Sequence, residues 1–161
     1  MVKAYSSAQL RQLEKDAACS ERRRSHLNAH PGLDANVQRL FIAMQPDTYL
    51  RPHRHPEAHK WEFFVVLDGR IDLLVFAENG EVLERVEMSS EKTRAVEVPA
   101  GSWHAYVCMR ADTLALEIKE GAYLPTRQQD FAPWSAAENT EPAPAFLARM
   151  RSARVGDLLA S

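Results

Sequence analysis

Hydrophobic and polar positions change their period twice along this chain. Over residues 7–17, Leu10, Leu13 and Ala17 recur at helical spacing, and Ser6 or Ser7 can accept a hydrogen bond from the first free amide. The pattern predicts a short amphipathic helix. Residues 19–36 lose that period; they are polar, carry Pro31-Gly32 as a turn signal, and read as an ordered arm or loop. From Val37 onward the texture becomes short runs of β-branched, aliphatic and aromatic residues, at 37–43, 61–67, 71–76, 82–88, 95–98, 104–109 and 113–118. Asp68-Gly69 and Asn79-Gly80 fall between successive runs, the dipeptides that tight hairpins use. Short strands at near-regular spacing predict an all-β barrel or sandwich.

Beyond Tyr123 the chain is rich in Pro and Ala, with Pro125, Pro133, Pro142 and Pro144, and reads as a strap over the barrel. A helix is expected from about 143 to 150, and 155–161 are expected to be loosely ordered. The resulting division is an N-terminal helix and arm over 1–36, the barrel over 37–123, and a C-terminal extension over 124–161. Phe63, Val65, Leu67, Ile71, Leu73 and Val75 are the expected core.

Composition narrows the function classes. With 161 residues the chain is the size of one domain. Twenty Lys and Arg against 22 Asp and Glu give a net charge of -2, so no basic field exists to hold nucleic acid or anionic lipid. No apolar run is long enough to cross a bilayer, and the first residues lack the apolar core of a signal peptide. Cys19 and Cys108 form no CxxC pair, which suits a reducing compartment. The expectation is a cytoplasmic protein with neither nucleic-acid nor membrane partners.

The chemistry concentrates in His53-Arg-His55, Glu62 and the later Pro99-Ala-Gly-Ser-Trp-His104. On extended chain the side-chain period is two, so His53 and His55 share a face, and Glu62 alternates against Trp61 and Phe63. Pro99 and Gly101 allow a sharp turn that launches His104 into the next strand. Three imidazoles and a carboxylate suit a divalent transition metal such as Zn, Fe, Mn, Ni or Cu, and leave a coordination position open. Trp61 and Trp103 each precede a candidate ligand and are expected to point away from the metal.

This spacing resembles the cupin superfamily, whose motifs read G-x5-H-x-H-x(3,4)-E-x6-G and G-x5-P-x-G-x2-H-x3-N. Glu62 to Gly69 and Pro99-x-Gly101-x2-His104 keep those gaps; the stretch from His55 to Glu62 is longer, and Cys108 stands where the second motif closes on Asn. Pro52-His-Arg-His and Lys60-Trp-Glu-Phe-Phe-Val-Val-Leu-Asp-Gly69 look like the WbuC-type cupin metalloproteins. The resemblance runs from about Arg22 to Trp134. It implies a cupin double-stranded β-helix, or jelly-roll barrel, with His53, His55, Glu62 and His104 on one metal, in a setting of surface-polysaccharide genes.

Around that centre Arg39, Arg51 and Lys119 are candidate pocket residues for an anionic or sugar-derived ligand. His30 or Asn28 would face substrate if the arm folds over the barrel mouth. His59, in the inserted loop, is expected to face solvent. Tyr49 and Glu117 are candidate catalytic groups, Glu117 as a general base or as an ion-pair partner of Arg39 or Lys119. Tyr106 and Cys108 follow His104 at period two and share its face. Two readings fit: a metal-dependent enzyme, an isomerase, epimerase or dioxygenase, or a non-enzymatic sugar- or metal-binding module. Open barrel edges favour a homodimer.

Overall fold

The structure is a computed structural model and describes residues 1–160. It begins with helix α1 (Ser7–Cys19), followed by strands β1 (Arg24–Asn28), β2 (Val37–Met44), β3 (Glu62–Asp68), β4 (Arg70–Phe76), β5 (Val82–Ser89), β6 (Ala95–Val98), β7 (Trp103–Cys108) and β8 (Thr113–Glu120), a single 3-10 turn at Gln128–Asp130, and helix α2 (Ala143–Ser152). The strands form two antiparallel sheets, ordered β1-β2-β8-β3-β6 and β5-β4-β7. This is the expected jelly-roll barrel with short helices at its ends.

Each packed face follows from side-chain period. Between the sheets lie Met44, Phe64, Val66, Ile71, Leu73, Met88, Val98, Tyr106, Cys108 and Ala115. Burying side chains such as Phe64 and Met88 contributes about 1.5–3 kcal/mol each. Leu10, Leu13 and Ala17 of α1 cover the outside of the large sheet at Leu27, Phe41, Ala43 and Leu114. Ser6 starts that helix: its Oγ accepts the Gln9 N–H at 3.3 Å while Gln9 Oε1 accepts the Ser6 N–H at 2.9 Å. On the small sheet, Phe146, Leu147 and Met150 of α2 pack over Leu74, Trp103, Ala105 and Val107.

Four expectations are corrected. Asp68-Gly69 is no hairpin: β3 pairs with β6 and β8, β4 with β5 and β7, so the pair carries the chain from one sheet to the other. Gly69 makes that step at φ +91°, and an added Cβ would lie 2.7 Å from the Thr113 Cα. Asn79-Gly80 does join paired strands. Second, the inward side of β3 is Glu62, Phe64 and Val66; Phe63 and Val65 are half-buried and Leu67 is exposed. That is the parity Glu62 itself demands. Third, the polar arm contributes β1, a strand on the edge of the large sheet, since its backbone amides pair with β2 whatever its side chains. Fourth, the tail is tied down as far as it is described. The Leu159 N–H donates to Gly80 O and the Gly156 N–H to Val82 O, and Leu159 is buried. Ser161, the last residue of the segment expected to be loose, lies outside the described residues.

Candidate functional site

Two stretches of backbone bring the imidazoles together. Residue 53 bridges to residue 104, the His53 N–H donating to His104 O at 3.0 Å and the His104 N–H to His53 O at 2.9 Å. Two residues on, His55 O accepts the Gly101 N–H at 2.7 Å, which docks the Pro99-Ala-Gly turn against the first histidine segment. Gly101 sits at φ +80°, a left-handed conformation that a side chain resists. The inter-motif contact is thus made by the main chain at the positions the two motifs fix.

The rings of His53 and His104 are 4.6 Å apart, those of His53 and His55 5.1 Å, and those of His55 and His104 5.9 Å. One ring nitrogen from each of the three lies within 4.8 Å of the others. Nδ1 of His53 meets Arg51 O at 3.0 Å and Nδ1 of His104 meets Ser102 O at 3.0 Å. A carbonyl can only accept, so each Nδ1 donates, and in the neutral ring it is Nε2 that offers a lone pair to the cluster. Nε2 of His55 and of His104 are buried without a hydrogen-bond partner. Glu62 completes the cluster, its Oε2 3.3 Å from His55 Nε2 and 3.7 Å from His104 Nε2.

Burial and charge divide these groups. Burial, with His104 and His55 alongside, pushes the His53 imidazole down to about 3. Burial acts the same way on His104, but Glu62 outweighs it and raises the ring above its ordinary value. Burial would raise the Glu62 carboxyl, yet His104 and His55 hold it well below the usual range. Burial raises Glu117, against the pull of Lys119. Three imidazoles converging on one carboxylate, with two buried ring nitrogens lacking a partner, form a donor set that suits a divalent transition ion.

Two cavities flank the cluster. The outer, on the side of the N-terminal arm and of about 390 Å³, is lined by His26, His30, Gln38, Lys119, Tyr123 and Leu124 together with His53 and His55. The inner, of about 260 Å³, is lined by Arg51, Glu62, Tyr106, Glu117, Lys119 and Phe131. Strand register explains the charged wall: Gln38, Lys119 and Glu62 stand side by side across β2, β8 and β3, and Leu40, Glu117 and Phe64 in the next row. Lys119 Nζ is 2.5 Å from Glu117 Oε1.

The candidates separate accordingly. His30, Arg51, Glu117 and Lys119 line the cavities. Arg51 also ties down the strap, donating to Ser135 Oγ at 2.9 Å and Ala132 O at 3.2 Å. Arg39 does not reach the cluster; it is exposed, because Gln38 and Leu40 take the inward positions of β2. Nor does Tyr49, whose hydroxyl donates to Ala136 O at 2.7 Å in the core beneath α2. His59 is exposed, and Trp103 is buried on the side of the small sheet away from the cluster. Phe131 and Thr126 come from the strap and carried no local signal in the sequence. Tyr106 carried one, its period-two relation to His104; its buried hydroxyl has no partner.

A family model described as a domain of unknown function (DUF6016) matches residues 5–88, from α1 through β5, including His53, His55 and Glu62. The chain belongs to that family. No curated protein matches the chain. Among solved structures, KdgF from Halomonas sp. superposes with a TM-score of 0.50 at 14% identity, over 62% of this chain and 82% of that one. CapF with the inhibitor 3-isopropenyl-tropolone gives 0.53 at 21%, over 66% of this chain and 30% of that one. A single-substitution variant of oxalate decarboxylase from Bacillus subtilis gives 0.50 at 12%, over 68% and 28%. At these identities what this DUF6016 member shares with them is the fold, the cupin jelly roll.

Proposed function

We propose that this DUF6016 protein is a cupin metalloprotein that holds one divalent transition metal through His53, His55, His104 and Glu62. The observation that carries the proposal is the pair of buried, unpartnered Nε2 atoms of His55 and His104 converging with His53 beside Glu62. A buried polar atom without a partner costs about 1–3 kcal/mol, and a cation bound to these nitrogens removes that cost. The carbonyls of Arg51 and Ser102 orient two of the rings from behind, the outer-shell arrangement that metal-bound imidazoles use.

The reading extends to an enzyme acting on a small anionic or sugar-derived metabolite. When bound, the metal supplies a Lewis acid that polarises a carbonyl or hydroxyl of the ligand. The chain's own residues do the rest. Glu117, raised by burial and lying between Phe64 and Leu40 in the sheet, takes or returns a proton at the inner cavity, and Lys119 beside it holds the charge that results. Arg51 and Phe131 line that cavity together, the guanidinium 5.0 Å from the ring centroid. The finer assignment, a WbuC-type cupin in surface-polysaccharide assembly, rests on the Pro52–His55 and Lys60–Gly69 strings, and a cytoplasmic homodimer accompanies it.

Metal content tests the centre. Protein purified without a nickel column carries near one metal per chain by elemental analysis, and His53→Ala/His104→Ala carries none. Metal retained by that double variant would sink the ligand set. The enzyme reading is tested by turnover of nucleotide sugars and small carboxylates; stoichiometric metal with no turnover of either class favours a binding module instead.

A further inference from the structure

The wall of the outer cavity contains one buried donor with nothing to donate to. His30 is 6% exposed, its ring lines the cavity, and its Nε2 has no partner. The backbone of Arg39 decides the tautomer. Its carbonyl already accepts the Ala29 N–H at 2.8 Å and the His30 N–H at 3.3 Å, so both lone pairs are engaged. His30 Nδ1 lies 2.9 Å from that already doubly occupied carbonyl and 3.0 Å from the Arg39 N–H, which can only donate. Only an unprotonated Nδ1 satisfies that amide, and the ring proton therefore resides on Nε2.

Other donors of this wall are committed. The Gln38 amide donates to Leu33 O at 3.2 Å and Ala35 O at 2.9 Å, Lys60 Nζ to Ala122 O, and Lys119 is paired with Glu117. Positive charge comes from Lys60, which lines the same cavity and whose ammonium meets a carbonyl rather than a carboxylate, Ala122 O at 3.2 Å. A group that supplies both an acceptor and a negative charge answers both features. We infer that His30 is a ligand-binding residue, the outer subsite for an oxyanion, carboxylate or phosphate, of a small ligand whose other end reaches His53 and His55. The inference rests on the proposed reading of the cluster as a metal site with a ligand beside it.

The test uses the full chain, as isolated and after chelation, titrated calorimetrically with succinate and with inorganic phosphate. His30→Asn keeps an acceptor for the Arg39 N–H but has no group at Nε2; His30→Gln reaches the Nε2 position with an amide. The wild type binds at least one of the two anions, His30→Asn weakens that binding tenfold or more at unchanged melting temperature and metal content, and His30→Gln restores part of it. The stronger of the two probes tells carboxylate from phosphate. Nitrogen-15 spectra of the ligand-free wild type show the proton on Nε2 and need no variant to fold. A proton on Nδ1, equal anion binding by His30→Asn, or no binding of either anion by the wild type, as for a cavity that holds only water, overturns the inference. Metal in the isolated protein without His30-dependent anion binding defeats this inference alone. His30-dependent binding in protein that never carries metal defeats the metal reading alone.

Discussion

Arg85→Ala is expected to cost about 3 kcal/mol, because one guanidinium holds three elements together. Arg85 donates to Asp72 Oδ2 from Nε at 2.9 Å and from Nη2 at 2.6 Å, and to the carbonyls of Met150, Arg151 and Ala153 at 3.2, 3.0 and 2.6 Å. It thus joins β5 to β4 and caps the C-terminal end of α2. Asp72 is 1% exposed, and removing its partner strands a buried carboxylate, a change that typically costs 3–5 kcal/mol. The lower figure applies here, because Arg70 remains 3.2 Å from Asp72 Oδ1. For a chain of this size about 3 kcal/mol lowers the melting point by roughly 6–12 °C. The double variant Asp72→Asn/Arg85→Ala recovers much of the loss, since no charge is then stranded. Thermal melts of the wild type, both single variants and the double variant give the coupling directly. A loss under about 1 kcal/mol for Arg85→Ala, or additive losses in the double variant, refutes the reasoning. Hydrogen exchange in α2 rises in Arg85→Ala, and with the helix loosened behind Trp103 and Ala105 the strand bearing His104 loses its backing.

The remaining predictions concern the site and its turns. Glu62→Gln keeps the shape of the cluster but removes its one negative charge, so metal affinity falls roughly tenfold or more in a competition titration, with the far-ultraviolet circular dichroism unchanged. Metal uptake releases protons, because His104 is raised above its ordinary value and must shed its proton; apparent affinity rises with pH through the neutral range, measured by calorimetry in buffers of different ionisation enthalpy. In metal-free protein the two shifted histidines act in opposite directions. His53, lowered to about 3, contributes stability that is fully present above about pH 6.5 and is lost as pH falls toward 3. His104, raised, contributes stability that is present below about 6.5 and is lost as pH rises through its folded value. Melts across pH 3–9 therefore decline towards both ends. Gly101→Ala costs only the left-handed strain of about 1–2 kcal/mol, as its added Cβ meets no atom within 4 Å; Gly69→Ala costs more, because the Thr113 backbone stands in the way, and equal losses by denaturant titration contradict this.

Much of the barrel was legible because strand period and turn residues are local properties. The runs at 37–43 and 95–98, for example, correspond to β2 and β6 to within one residue. The four residues of the cluster were legible for a different reason: two motifs fix their spacing, and the backbone bonds between residues 53 and 104 and between 55 and 101 turn that spacing into proximity. Partner choice was not legible. Asp68-Gly69 has hairpin chemistry, but which sheet a strand joins depends on all the other strands, so the turn became a crossing between sheets. Parity misled at Phe63 and Val65 because an all-apolar run has no alternation to read; Glu62 was its one polar marker. Arg39 and Tyr49 lie away from the cluster and its two cavities for the same reason, register and loop direction being tertiary properties. Phe131 and Thr126 reach the inner cavity from a strap with no periodic signal at all.

The central claim is that His53, His55, His104 and Glu62 hold one metal. A crystal of the protein, purified away from nickel and measured for anomalous scattering at successive transition-metal edges, addresses it most directly. One anomalous peak is expected, about 2.0–2.2 Å from a nitrogen of each of the three imidazoles and from a Glu62 oxygen. A peak elsewhere, or well-ordered side chains at the cluster with no peak at any edge, contradicts the account.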